Sequence, residues 1–335
     1  MPVLKRFVFD KEEQPGAAWL DRFIAGRDEA QRWYLGAGRA GPPTAADCRA
    51  ALCDHMPELL PHYDRVCRMV GDDALAHCIL SHYRAAPFVT GCSQAVWLGD
   101  AGPALVRNYD FPLDVVTDRF EGTSWSGREV IAKAQRPWGG CLDGMNEDGL
   151  VASATFGGSR AQGLGFSVIL MLRYVLETCS RVEQAIAALT RIPIALSQNV
   201  TLLEPSGAYA TVFLGPDREP VVSAVRVCTN HQDIVAPSPS ADMVRSVERQ
   251  QILLQALDAP ATSLRDLIAR FLEAPIYARR IRSPTVYTAV YWPDERRVDY
   301  LWPGKTSSQR IGRFECGDYT HDYGALIGPD DSGSA

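Results

Sequence analysis

Residues 91–110 read GCSQAVWLGDAGPALVRNYD, two alternating segments separated by a turn rich in Gly and Pro. Period-two alternation bounded by such residues marks a β-hairpin, here Cys92 to Leu98 and Ala104 to Asp110 joined by GDAGP. A hairpin centred on Ala101 would set Cys92 opposite Asp110, with β-carbons roughly 4.5–5.5 Å apart. A buried carboxylate costs free energy unless it is paired, so this pair reads as chemistry rather than packing. Arg107 stands three positions before Asp110 and should point to the opposite face of a regular strand. A bulge or the strand end has to reconcile them if they act together.

The texture changes on either side of this hairpin. Residues 1–90 are rich in Ala, Arg, Asp, Glu and His, and apolar residues recur at helical spacing over 17–35, 46–56 and 58–84, which predicts a largely helical segment. The GAGRAGPP stretch at 36–43 reads as a loop. Beyond the hairpin, short alternating stretches at 149–157, 199–204, 208–215 and 221–230 predict strands. Helical patterns return at 166–190, 243–257 and 264–272. A last strand pair is expected at 286–292 and 298–302 around the turn Pro293 to Arg296. Helices stacked on antiparallel sheets give an α+β fold, divided into a helical segment 1–91 and a catalytic domain 92–335.

Composition narrows the function. The 335 residues are 46% hydrophobic and 22% charged with a net charge of −6, so no basic field exists for nucleic acid or anionic lipid. The longest apolar run, Phe166 to Leu172, is far short of the roughly 20 residues of a membrane span. The first residues, MPVLKRFVFDKEEQPG, carry no signal-peptide pattern. Nine cysteines without such a signal favour free thiols in a reducing compartment, so a cytoplasmic location is expected and the sequon Asn199-Val200-Thr201 is plain strand sequence. Gly36-Ala37-Gly38-Arg39-Ala40-Gly41 matches a dinucleotide fingerprint but lacks the strand before it and the helix after it. Cys48, Cys53, His55, His62, Cys67, His77, Cys78 and His82 lack the spacing of a zinc site. No cofactor or metal is expected.

Four motifs carry a family resemblance: Gly91-Cys92-Ser93, Arg107-Asn108-Tyr109-Asp110, Gly144-Met145-Asn146-Glu147-Asp148-Gly149-Leu150 and Thr229-Asn230-His231. In this order, over residues 88 to about 302, the chain resembles the penicillin acyltransferase family of N-terminal-nucleophile hydrolases and the related choloylglycine hydrolases. The resemblance implies an αββα sandwich, self-cleavage before the nucleophile, and hydrolysis or acyl transfer at a linear amide. It implies Cys92 as nucleophile, Arg107 and Asp110 as the pair of the R-N-x-D motif, Asn230 as the oxyanion donor, and Arg249 as an arginine on the following helix. Choloylglycine hydrolases carry an Asn where this chain reads Ala154-Thr155-Phe156, which points away from bile-salt-like substrates.

The implied chemistry is self-consistent. The nitrogen of Cys92 is an amide until the Gly91–Cys92 bond breaks, and only the freed α-amine, with a reference pKa of roughly 7.7–8.0, can take up the thiol proton. Arg107 would then hold Asp110, and Asp110 would orient the amine. The two self-derived chains should stay associated, because the apolar helix faces of the first have nowhere else to go. Trp97, Trp125, Trp138, Thr155 and Phe156 are candidate walls for a small acyl amide or acyl thioester substrate. Competing readings are an uncleaved thiol hydrolase using Cys92 with His231 in the papain manner, and a non-catalytic relative that binds through the same groove.

Overall fold

The computed structural model describes residues 2–36, 41, 43–86, 91–135, 139–232 and 245–328. The hairpin forms from β2 (Gly91–Gly99) and β3 (Gly102–Asp110). Its register differs from the expected one. Gly99 pairs with Gly102, Cys92 with Tyr109 and Gly91 with Asp110, so the turn is only Asp100-Ala101 and its centre lies between those two residues. Two-residue turns are the favoured hairpin connection. Gly102, at φ +83°, supplies the left-handed backbone needed to carry the ladder into the turn. A one-residue shift exchanges the faces of a strand, and the site inherits that exchange.

β2 and β3 sit in a six-stranded sheet with β11 (Val227–Cys228), β12 (Thr285–Trp292), β13 (Arg297–Trp302) and β14 (Lys305–Arg310), ordered β11-β2-β3-β12-β13-β14. A nine-stranded sheet contains β1 (Leu4–Lys11), β4 (Arg119–Thr123), β5 (Val130–Gln135), β6 (Gly140–Asn146), β7 (Val151–Phe156), β8 (Gln198–Leu203), β9 (Tyr209–Leu214), β10 (Val221–Ser223) and β15 (Gly317–Asp322). Its order is β10-β9-β8-β7-β6-β5-β4-β1-β15. Among the described strands every pairing is antiparallel except β1 with β4.

Helices α6 (Val168–Thr178) and α7 (Val182–Arg191) pack on the large sheet. α8 (Ser246–Asp258) lies on β11 and β2, and α9 (Leu264–Phe271) on β3. The result is an αββα layering with a large apolar core and a smaller separate cluster under α8 and α9. The helices α1 (Ala17–Ala25), α2 (Arg27–Leu35), α3 (Ala45–His55), α4 (Leu60–Val70) and α5 (Ala74–Ser81) join the α6 side. There Tyr174 donates to Glu58 and Arg191 to the His55 carbonyl. No described helix is long and apolar enough to cross a membrane.

Two strand readings change. Residues 1–90 are not helical throughout, because β1 alternates Phe7 and Phe9 into the core and is hydrogen-bonded between β4 and β15. The run 221–230 is not one strand. β10 pairs with β9 in the large sheet and β11 with β2 in the small one, so residues 224–226 carry the chain across the sandwich. That crossing brings Thr229-Asn230-His231 to the start of β2.

Candidate active site

Alternation along β2 and β3 separates two faces. Cys92, Gln94, Arg107 and Tyr109 face the large sheet, while Gly91, Ser93, Asn108 and Asp110 face the helices α8 and α9. On the inner face Arg107 is fully buried, and its Nη2 lies 3.5 Å from Cys92 Sγ. Its Nε is 3.0 Å from Asp143, and its Nη1 donates to Ser153 Oγ at 2.6 Å and to the carbonyls of Ala154 and Leu142 at 2.9 and 3.2 Å. Burial works against the guanidinium charge, yet Asp143 and Cys92 outweigh it and raise the Arg107 pKa above its ordinary value. A cation so held stabilises a sulfur anion at Cys92.

On the outer face the Asp110 carboxylate lies over Gly91. A β-carbon at residue 91 would sit 3.0 Å from Asp110 Cβ and 3.3 Å from its Oδ2, so glycine is needed for close approach. Thr285 donates to Asp110 Oδ1 at 2.7 Å, and Arg249 Nη1 is 3.5 Å from Oδ2. Arg249, from α8, also donates to the Cys92 carbonyl at 2.8 Å, to Ser93 Oγ at 2.5 Å and to Asn230 Oδ1 at 2.8 Å. The backbone N–H of Cys92 donates to the same Asn230 oxygen at 2.8 Å. Both neighbours are donors, which orients the amide with oxygen toward Cys92 and makes Nδ2 its donor end. Burial raises the Asp110 pKa against the pull of Arg249 and Thr285, and lowers that of Arg249 against the pull of Asp110.

The predicted residues Cys92, Arg107, Asp110, Asn230 and Arg249 therefore converge, with one partnership corrected. Arg107 and Asp110 point to opposite faces, no bulge between β2 and β3 reconciles them, and Arg249 rather than Arg107 holds Asp110. His231 places its two ring nitrogens 2.7 Å from Ser246 Oγ and 3.1 Å from Gln250 Oε1, a setting that fastens the strand end to α8.

Of the candidate walls, Thr155 belongs to the site's framework: its hydroxyl donates to the Thr229 carbonyl at 2.7 Å and accepts from Asn199. Phe156 follows Thr155 on β7 and faces the other side of the sheet. Trp97 packs with Leu253, Leu264 and Phe271 in the apolar cluster under α8 and α9, away from the sulfur. Trp125 stacks on His62 at 3.8 Å beneath Arg173 and lines a cavity against Leu52, Leu59 and Leu170, on the α6 side of the large sheet. Trp138 lies outside the described residues.

Residues not singled out in the sequence complete the arrangement. Asp143 on β6 accepts from Tyr287 at 2.5 Å and from Tyr291, besides pairing with Arg107. Thr285 and Ser93 complete the outer face. Asp143 stands two residues before the quoted Met145 of the third motif, and its isolation among Gly140, Leu142 and Gly144 was the signal available.

The family model for acyl-coenzyme A:6-aminopenicillanic acid acyl-transferase matches residues 97–307, a stretch holding Arg107, Asp110, Asp143, Asn230 and Arg249. No curated protein sequence matches the chain. Among solved structures, a mutant conjugated bile acid hydrolase from Clostridium perfringens is similar at TM-score 0.50 and 13% identity, covering 70% of this chain and 98% of that one. Penicillin V acylase from Agrobacterium tumefaciens follows at TM-score 0.48 and 16% identity, covering 71% and 94%. A Caenorhabditis elegans ortholog of N-acylethanolamine-hydrolyzing acid amidase has TM-score 0.47 and 14% identity, covering 61% and 93%. The first of these shows the αββα architecture to be the N-terminal-nucleophile hydrolase fold.

Proposed function

The chain belongs to the acyl-coenzyme A:6-aminopenicillanic acid acyl-transferase family, and from that premise we propose that it is a self-cleaving cysteine amidohydrolase or acyltransferase with Cys92 as its N-terminal nucleophile. The observation that carries this reading is the meeting of Cys92 N–H, Asn230 Oδ1 and Arg249 at one point. The nitrogen that would become the catalytic amine is already held by the residue that would serve the oxyanion.

In maturation the Cys92 thiol attacks the Gly91 carbonyl carbon, its proton passes to the departing nitrogen and the C–N bond breaks. The Gly91 acyl group passes to sulfur, and water then hydrolyses the thioester to free the Gly91 carboxylate and the thiol. Glycine leaves the carbonyl open to approach. The liberated amine, with a reference pKa of roughly 7.7–8.0, then serves as base for the same residue's thiol. In turnover the thiolate beside Arg107 attacks a linear amide or acyl thioester of a small molecule. Asn230 Nδ2 donates to the tetrahedral oxyanion, and the amine returns its proton to the leaving group. Asp110 and Arg249 fix the amine and the first peptide of the new chain from the outer face. Water or an acyl-accepting amine resolves the acyl-enzyme.

Residues 1–91 would remain with 92–335, because β1 is hydrogen-bonded on both edges to strands of the second chain. The intact mass of the purified protein tests the reading. Two chains, 1–91 and 92–335, are expected, with activity abolished by thiol alkylation. A single active wild-type chain would overturn it, and would return the uncleaved Cys92 and His231 alternative to consideration. A chain that neither cleaves nor acylates at Cys92 would identify a non-catalytic relative.

A further inference from the structure

Buried between the two sheets, Arg107 is coordinated from three elements. Its opposite neighbour on β12 is Ala289, the small residue that leaves room for a guanidinium. Tyr287 and Tyr291 stand two positions to either side, on the same face. Both hydroxyls reach over to one carboxylate, Tyr287 to Asp143 Oδ2 at 2.5 Å and Tyr291 to Oδ1, while Arg107 Nε lies 3.0 Å from Oδ2. Nη1 is spent on Ser153 and two carbonyls. The group directed at sulfur is Nη2.

We propose that Asp143 is a positioning residue, clamped by Tyr287 and Tyr291, that fixes the Arg107 guanidinium so that Nη2 is aimed at Cys92 Sγ. This rests on Cys92 being the nucleophile. Burial and the adjacent carboxylate raise both phenols well above their ordinary pKa, so both stay protonated as donors to Asp143. With Nε in ion-pair contact with Asp143 and Nη1 hydrogen-bonded to Ser153 and two carbonyls, the guanidinium is held from two sides. A lysine at this position would lack the planar fork that makes such a hold possible.

The test is the pH dependence of iodoacetamide alkylation at Cys92, read by peptide mass spectrometry in wild type, Asp143→Asn and Tyr291→Phe, together with kcat and KM. Loss of aim should raise the midpoint of alkylation by about one pH unit in Asp143→Asn. Tyr291→Phe should raise it by less, and kcat should fall in both with KM little changed. A bare electrostatic role predicts the opposite sign, since removing a carboxylate makes the site more positive and lowers the midpoint. A lowered or unchanged midpoint overturns the proposal. If Asp143→Asn does not fold, Tyr291→Phe and Tyr287→Phe decide, because both retain the buried ion pair. Should the wild type remain uncut while its alkylation still follows Asp143 in this way, the self-cleavage reading fails and the positioning role stands.

Discussion

On the inner face of the β2–β3 hairpin, Arg107 meets Asp143 at 3.0 Å and its charge is favoured despite complete burial. On the outer face, Arg249 meets Asp110 at 3.5 Å, and burial works against both charges. The composition of the two pairs is the same, and their arginines are tuned in opposite directions. Asp143 accepts from two tyrosines and lies in ion-pair contact with the guanidinium, whereas Asp110 shares Arg249 with Asn230, Ser93 and the Cys92 carbonyl. A well-matched ion pair suits a permanent cation beside a sulfur anion. On the proposed reading, a carboxylate that the fold leaves under-compensated suits a place where an ammonium would form if the chain is cut, because the incoming positive charge favours ionised Asp110.

Cys92, which both faces share, gives the largest effect. Cys92→Ala should leave an intact chain of 335 residues by mass spectrometry and no measurable turnover. A cleaved variant would detach the cut from the sulfur and dissolve the contrast between the faces.

Next come the two aspartates. Removing one partner of a well-made buried pair costs about 3–5 kcal/mol, so Asp143→Asn should lower the urea-unfolding free energy by that much. Asp110→Asn should cost distinctly less, because the fold already opposes this carboxylate, while still slowing cleavage. Equal losses in urea would erase the asymmetry.

Asn230→Ala should lower kcat by on the order of 10² to 10³. If it lowers the melting temperature while leaving kcat intact, Asn230 is a tether for Arg249 and the oxyanion donor lies elsewhere.

The acid side sharpens the same contrast. With a folded pKa above its unfolded value, Asp110 binds a proton in the folded state first. Stability should therefore rise as pH falls from the raised value toward the ordinary 3.8, and decline as pH climbs back through that window. Asp110→Asn should abolish this slope in denaturation midpoints. The smallest effect is expected at Trp97, where Trp97→Leu should leave kcat and KM unchanged and lower only the melting temperature, since the ring belongs to the cluster under α8 and α9. A raised KM would move the substrate to the outer face.

The hairpin was legible because alternation and turn glycines are local signals, and Cys92, Arg107, Asp110 and Asn230 followed from the family resemblance. Register was not legible, because GDAGP admits both a two-residue turn and a longer one, and the choice moves Asp110 from the sulfur to Gly91. Asp143 was hidden in a glycine-bearing strand of low intrinsic β-propensity, which reads as a loop until its neighbours in the sheet are known. The crossing at 224–226 was hidden in a strand-like run, VVSAVRVCTN, where no Gly or Pro marks a change of sheet. Arg249 stood outside the four motifs, and its importance comes from where α8 lands on β2.

The place of β1 bears on how the molecule is made. Arg6 and Asp318, 312 residues apart, meet across β1 and β15, so a strand near the start of the chain is paired with one formed close to its end. Contacts of such long sequence separation are slow to form and cannot be completed while the ribosome still holds the distal strand. The large sheet, against which Asp143 and Arg107 are braced, is therefore finished late, and a bond cut before that moment would leave β1 without its β15 neighbour. On the reading proposed above, a cut that waits for β15 would leave the first segment enclosed on both sides, between β4 and β15.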